Sequence, residues 1–310
     1  MLKKLLPAAL LLFVLLTGCG ATQQTASEGL QITTTTYPLY LFTNEVVQGV
    51  DGVSVTPMIN QSVSCVHDYT LSIRDMKVLD QADLILLSGA GLEETMEDAL
   101  AAANTPMIDC SQGIDLLTTC HHHDHDHDGH EDHDHEGEEP DPHIWLDPMR
   151  ACQMIGNIAE GLSQTDPAHS ETYHANAEAA VQAITEVYDE LLPQLENLSC
   201  RDIITFHDGF SYFAEAFDLT ILRAIEEESG SEASAKEVAE IMEEVKEHHL
   251  AAVFTEVNGA TATAEMICRE CGTAMYPLSM LMSGPADGYG VARYLSVMTD
   301  NVETIREACT

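Results

Sequence analysis

Three histidines stand where a ring nitrogen could be offered to a metal. They are His67 in Cys65-Val66-His67-Asp68-Tyr69, His143 in Asp141-Pro142-His143-Ile144-Trp145-Leu146-Asp147-Pro148, and His207 in Thr205-Phe206-His207-Asp208. Neutral imidazole is the commonest protein ligand for zinc and its neighbours. Separations of 76 and 64 residues make no local motif of the His-Glu-x-x-His kind, so only the fold can bring the three together. A second group is contiguous: His121, His122, His123, His125, His127, His130, His133 and His135 alternate with nine Asp or Glu between residues 121 and 139. Imidazoles with an ordinary pKa of about 6.5 are mostly neutral at pH 7, and the carboxylates among them concentrate divalent cations. Weak, multiple, exchangeable metal binding follows.

The elements that must position the three histidines have ample chain to draw on. With 310 residues and 45% hydrophobic content, the protein can fill the cores of two domains. Its 12 Lys plus Arg against 52 Asp plus Glu leave a net charge of −40, a field that repels phosphate backbones and attracts cations. Nucleic-acid binding is excluded on that ground.

From Leu30 onward, short apolar runs alternate with amphipathic segments. Leu30 to Thr36, Val53 to Ile59, Leu84 to Leu87 and Met107 to Ile108 read as strands, with helices starting near Leu39, Ser72 and Leu92. A second set has strands at Asp202 to Phe206 and Ala251 to Thr255, with helices at Gly209 to Phe217, Lys236 to His248 and Tyr294 to Ala308. Such alternation implies α/β lobes with parallel sheets. The expected organisation is a lobe over 30–146, connecting helices over 147–197 and a second lobe over 198–310, with 121–139 a disordered loop that has no apolar residue to bury. Asp147-Pro148 and Asp166-Pro167 each place an N-cap before a proline suited to a first helical turn. After the second, Tyr173, Ala177, Ala180, Ile184, Val187, Leu191 and Leu195 recur at helical spacing, and Pro193 should bend the last turn of this long helix. A rigid helix between lobes restricts clamshell closure. His67 and His207 lie just past strands or their following loops, where open α/β sheets place ligands. Two histidines on one lobe and one on the other can meet only in the interlobe cleft.

The chain begins with Lys3 and Lys4, an apolar run from Leu5 to Leu16 too short for a lasting membrane span, and Leu16-Thr17-Gly18-Cys19. That ending resembles a bacterial lipobox, which implies removal of a signal peptide over 1–19, lipidation of Cys19 and a flexible stalk over 20–29. Eight cysteines remain, an even number compatible with disulfides outside the cytoplasm. A bridge from Cys268 or Cys271 to Cys309 is the plain structural expectation for the Cys-x-x-Cys pair.

Several motifs occur in an order that resembles the zinc- or manganese-binding solute-binding proteins of ABC transporters, the group called cluster A-I or cluster 9. They are His67-Asp68-Tyr69, Pro142-His143-Ile144-Trp145-Leu146-Asp147-Pro148, the Asp166-Pro167 helix start, Phe206-His207-Asp208-Gly209-Phe210-Ser211-Tyr212-Phe213 and Phe254-Thr255-Glu256. The likeness runs from about Gln31 to Ala308. It implies two lobes of four-stranded parallel sheet joined by a long backbone helix, with His67, His143 and His207 as metal ligands. Histidine at the third position resembles the zinc-type members, and imidazole with the Irving–Williams order favours Zn²⁺ over Mn²⁺. Relatives often have an Asp as fourth ligand, but here the matching stretch is Met275-Tyr276-Pro277-Leu278-Ser279-Met280, with Tyr276 or Ser279 at that position. Water could fill the place, and Cys65 is a candidate that would complete a His₃Cys set. Glu256 matches a position near the cleft and is expected to support the site from behind the ligands. His169, His174, His248 and His249 are expected on solvated helix surfaces, and Phe210, Tyr212, Phe213 and Phe217 in the core.

The resemblance implies a monomeric, extracytoplasmic, membrane-anchored zinc receptor that delivers Zn²⁺ to the permease of an ABC importer, with one tight site and weaker sites in the histidine-rich loop. No catalytic residue is expected. Scavenging calls for a dissociation constant near nanomolar, about −12 kcal/mol. Because the ligands must be deprotonated, affinity should fall below about pH 6. Three competitors are a manganese receptor of the same group, a surface zinc buffer without a transporter and, on the chemistry of three histidines with an open fourth position, a zinc hydrolase.

Overall fold

Hydrophobic runs become the strands of two all-parallel sheets. The computed structural model describes residues 29–61, 66, 69–118, 140–225, 233–286 and 290–310. In the first sheet β1 (Leu30–Thr34), β2 (Val53–Pro57), β3 (Leu84–Leu87) and β4 (Met107–Asp109) lie in the order β2-β1-β3-β4. In the second, β5 (Asp202–Phe206), β6 (Thr220–Ala224), β7 (Ala252–Glu256) and β8 (Ala274–Leu278) repeat that order as β6-β5-β7-β8. Each sheet reverses its winding once, between β1 and β3 and between β5 and β7, and the carboxyl ends of those central strands flank a crevice.

The first sheet is flanked by α1 (Tyr37–Val46), α2 (Ile73–Asp80) and α3 (Glu97–Ala103), the second by α6 (Ser211–Ala216), α7 (Ala235–Glu247) and α8 (Ala262–Cys271). Between them run α4 (Pro148–Thr165) and α5 (Ser170–Leu191), and α9 (Gly290–Cys309) closes the chain. Asp147 caps α4 by accepting the N–H groups of Met149 (2.7 Å) and Arg150 (3.2 Å), with Pro148 in the first turn. Asp166 behaves differently from expectation. Its carboxylate is taken by the His169 ring (2.6 Å) and the Tyr173 hydroxyl (2.8 Å), so a 3₁₀ turn over Pro167–His169 precedes α5 and no side-chain cap forms. Pro193 converts the end of α5 into a 3₁₀ turn over Leu192–Leu195, as its missing N–H requires.

The core is not divided by lobe, as two separately filled domains would have it. One cluster runs from Leu84 and Leu86 of β3 through Phe42, Trp145, Ile155 and Tyr173 of the middle layer to Ile203, Phe254 and Leu278 of the second sheet. The α1 helix packs against α4, α5 and α9, and α4 lies along α5. A smaller cluster of Ile204, Phe206, Val253, Val238, Ile241 and Ile267 covers the outer face of the second sheet beneath α7 and α8. Phe210, Tyr212, Phe213 and Phe217 are buried, as expected. The expected bridge to Cys309 is absent: Cys200, Cys268, Cys271 and Cys309 are free thiols. Cys268 and Cys271 pack on the outer cluster while Cys309 belongs to the main one, so the sulfurs lie in different layers. Among the described residues no helix is long and apolar enough to cross a membrane.

Candidate metal centre

The Asp-Pro-His segment leads straight into a 3₁₀ turn over Ile144–Leu146, and this turn holds His143 at the seam between the lobes. Asp141 fixes it twice: one carboxylate oxygen, Oδ1, accepts the backbone N–H of His143 and faces the ring Nδ1, both at 2.9 Å. Burial by itself would raise the Asp141 carboxyl, but the bonds and charge of His143 outweigh it and hold the group below the ordinary carboxylate value. An ionised carboxylate can only accept, so Nδ1 carries the ring proton and Nε2 keeps its lone pair. That is the tautomer a metal ligand needs, set in the way ligating histidines are usually set.

The rest of the surroundings locks this arrangement. The Asp141 carbonyl accepts the Tyr212 hydroxyl (2.9 Å), whose oxygen accepts the Leu117 N–H (2.9 Å). The indole of Trp145 stands edge-on to His143 at 5.5 Å between centroids and donates across the seam to the Met280 carbonyl (2.8 Å). The Trp145 carbonyl in turn accepts the Tyr294 hydroxyl (2.9 Å).

His207 arrives from the second sheet. It follows β5 directly, at the carboxyl end where the winding reverses, and its carbonyl accepts the Thr205 hydroxyl (3.0 Å). Its ring lies 5.7 Å from that of His143, the planes at 84°. Two imidazoles bound to one tetrahedral zinc ion, each with a Zn–N bond of about 2 Å, have centroids roughly 5 Å apart. The fold therefore brings together two of the three expected ligands from opposite lobes. Gly209 makes the approach possible, because a Cβ there would stand 2.5 Å from Met280 Sδ and 3.1 Å from His143 Cε1.

Glu256 ends β7 and is 1% exposed. Burial pushes its carboxyl up to about 7, against the opposing effect of the backbone N–H groups of Asn258, Met280, Gly259 and Val257. Its Oε2 accepts the Asn258 N–H, while Oε1 is buried without a hydrogen-bond partner.

His67, Cys65, the histidines between His121 and His135, and Cys19 lie outside the described residues. Among the described residues no group of three or more His, Cys, Asp or Glu is gathered closely enough to hold a metal alone. His169, His174 and His248 are half-exposed on helix surfaces with polar partners Asp166, Ser163 and Asp202. Sequence reasoning did not assign Asp141 a role, although its place two residues before a candidate ligand histidine was the available signal. Gly209 carried no signal beyond its type.

The comparisons agree with this geometry. A model of the family described as zinc-uptake complex component A, periplasmic, matches residues 32–308. The zinc-binding lipoprotein AdcA of Streptococcus pneumoniae serotype 4 is 30% identical over 298 residues, 93% of this chain and 57% of that protein, so the chain spans little more than half of that relative's length. The crystal structure of ZnuA superposes with a TM-score of 0.74 at 28% identity, covering 91% of this chain and 100% of that one. A Zn(II)-bound mutant variant of AdcAII from Streptococcus pneumoniae gives 0.75 at 26% identity, covering 92% and 100%. With the family pattern matched over nearly the whole chain and two facing imidazoles where the lobes meet, this chain belongs to the zinc-uptake component A family of metal solute-binding proteins.

Proposed function

We propose that the protein is an extracytoplasmic zinc receptor that binds Zn²⁺ in the interlobe cleft through His67, His143 and His207 and hands it to the permease of an ABC importer. The observation that carries this reading is the His143–His207 ring pair at 5.7 Å, with the His143 tautomer set by Asp141. Imidazole donors suit zinc better than manganese, and relatives named for zinc binding support the same choice. Anchoring through a lipid on Cys19, and weaker sites in the run from His121 to His135, belong to the same proposal. The protein acts as a single chain and performs no chemical step.

Metal analysis of protein purified without added metal, followed by competitive titration, tests the proposal. Zinc should be bound at one tight site that His143→Ala and His207→Ala each weaken by at least about 100-fold, beyond what an outer hydrogen-bond partner is worth. Deleting residues 121–139 should remove only the weaker sites. Tight zinc binding that survives both alanine variants would refute the site, and loss of the tight site on loop deletion would refute the division of labour.

A further inference from the structure

The Cys-x-x-Cys pair plays no part in the metal centre. Cys268 and Cys271 lie on α8 and pack on the cluster that covers the outer face of the second sheet, and both are half-buried free thiols. A step of three residues is nearly a full helical turn, so the two side chains stand one above the other on the same face. It sets their Cα atoms about 5 Å apart, inside the window of about 4.4–6.8 Å that a disulfide spans. The electrostatics agree with this placement: burial, and after it the neighbouring Cys271 thiol, push the Cys268 thiol above its ordinary value.

The Cβ atoms of such a pair are about 5–6 Å apart in a regular helix, against about 3.5–4.5 Å in a disulfide. Closure must therefore draw the turn in by roughly 1–2 Å. The end of α8 can give at this point. Cys271 is its final residue, and Gly272 follows in the left-handed region at φ +74°. Carbonyls in the last turn of a helix have no partner further along it, so a change there does not propagate. The buried side chains Thr263, Ala264 and Ile267 sit earlier in the helix and keep their packing. What closure disturbs is the Gly272 N–H bond to the Cys268 carbonyl (2.8 Å) and the weak bond from Cys271 Sγ to the Met242 carbonyl of α7 (3.8 Å). A bridge that bends its own helix end is strained, and strained, accessible disulfides are the easily reduced ones.

We propose that Cys268 and Cys271 form a reversible dithiol–disulfide couple, a redox modification site whose oxidant is a small-molecule disulfide of the glutathione type. One cysteine thiolate attacks a sulfur of the oxidant, forming a mixed disulfide and releasing one glutathione thiolate. The second cysteine, once deprotonated, attacks the protein sulfur of that mixed disulfide and releases the other. Two protein thiols become one disulfide, and the two electrons and two protons they lose appear in two glutathione thiols. The inference is independent of the zinc-receptor reading, and it makes Cys268 and Cys271 each other's partners in place of Cys309.

Arg269 stands between the two cysteines, so trypsin cuts the chain there and leaves each on its own peptide. Reduced full-length protein is equilibrated with oxidised glutathione, quenched in acid, alkylated, digested and mapped by mass spectrometry. The peptide ending at Arg269 and the one beginning at Glu270 should stay joined through a disulfide in the majority of molecules, with Cys309 alkylated. Excess reduced glutathione, added to the folded protein before the quench, should reopen the bridge. Recovery of the two peptides apart, whether alkylated, carrying glutathione or linked to another cysteine, overturns the inference. A bridge that persists in excess reduced glutathione is a structural disulfide and overturns the reversible couple.

Discussion

Replacing Asp141 by Asn separates the charge of this carboxylate from its shape. In the wild type Oδ1 accepts the backbone N–H of His143 and faces Nδ1, both at 2.9 Å, in a side chain that is 0% exposed. An amide oxygen can accept both hydrogens, so the turn survives, but the charge-assisted bond to the ring becomes a neutral one. Charge-assisted bonds contribute about 1.5–3 kcal/mol and neutral ones about 0.5–1.5 kcal/mol, a difference of roughly 1–2 kcal/mol. The weaker acceptor also makes Nε2 a poorer donor, and losses of about 10–100-fold in metal affinity are typical for such partners. We therefore expect Asp141→Asn to bind zinc about 10–100-fold more weakly while unfolding cooperatively near the wild-type temperature. Asp141→Ala should add a stability loss of about 1–3 kcal/mol, because it strands the buried Nδ1–H. Competition against a fluorescent chelator measures the affinity, and ¹⁵N chemical shifts of the His143 ring report the tautomer. Wild-type zinc affinity in Asp141→Asn, or a ring protonated on Nε2 in the wild type, would refute the reasoning.

Gly209→Ala forces a methyl to 2.5 Å from Met280 Sδ and 3.1 Å from His143 Cε1, so calorimetry should show an overpacking loss of about 1–3 kcal/mol and titration a weaker zinc site. Asp75 accepts the Tyr69 hydroxyl and the Ser72 N–H, each at 2.7 Å, and these bonds with the nearby Arg74 outweigh burial to hold its carboxyl below 3.8. Since the folded-state value is the lower one, its stabilisation is complete above 3.8 and disappears as pH falls below it. Asp75→Asn should cost about 1–3 kcal/mol in urea unfolding at pH 7, and the cost should shrink as the pH falls below the ordinary carboxylate range. Arg150 ties the lobes by donating to the Asp115 carbonyl (3.0 Å), Asp147 Oδ2 (2.6 Å) and Glu215 Oε1 (2.9 Å) above the Tyr212 ring. Arg150→Gln should lower thermal stability by about 1–3 kcal/mol.

Central strands were legible in the sequence to the residue: Leu84–Leu87, apolar throughout, and Asp202–Phe206, with its Ile-Ile pair, have the bounds their patterns announce. The strands that escaped notice are edges. β6 is half-exposed along its length and β8 carries Pro277, a residue that removes a ladder donor and is tolerated at a sheet edge. The start of α5 misled because its signal was local. Asp166 has a cap's identity, but Tyr173, seven residues on, competes for its carboxylate. At the site, residue type and neighbouring motifs were enough to single out His143 and His207. What makes Asp141 significant is its bond to the His143 ring, and what makes Gly209 significant is its close approach to His143 and Met280. Asp141 and Gly209 each lie two residues from a candidate ligand in sequence, whereas Glu256 is brought to the same end of the sheet as His207 only by strand order. The single large core was invisible for the same reason, since apolar content does not say which faces meet.

The seam that would house the proposed metal centre also limits how an ion bound there could leave. Across it Trp145 Nε1 donates to the Met280 carbonyl, the Tyr294 hydroxyl to the Trp145 carbonyl, the Tyr37 hydroxyl to the Pro285 carbonyl, and the Val291 N–H to Glu45 Oε2, all between 2.8 and 3.0 Å. The apolar side chains around them are continuous from one sheet to the other. Opening the lobes as rigid bodies would break these bonds together, at about 1–3 kcal/mol for each group left buried and unmatched, and would expose the shared core as well. Displacing His207 and the turn that follows β5 breaks none of the four. Metal exchange should therefore proceed through local movement of that turn, with the lobes staying in place. Small-angle scattering of the metal-free and zinc-loaded protein should give the same radius of gyration, while hydrogen exchange should slow at the turn after β5 on loading. A measurable contraction of the whole molecule upon zinc binding would show that the seam opens and that these bonds do not hold it.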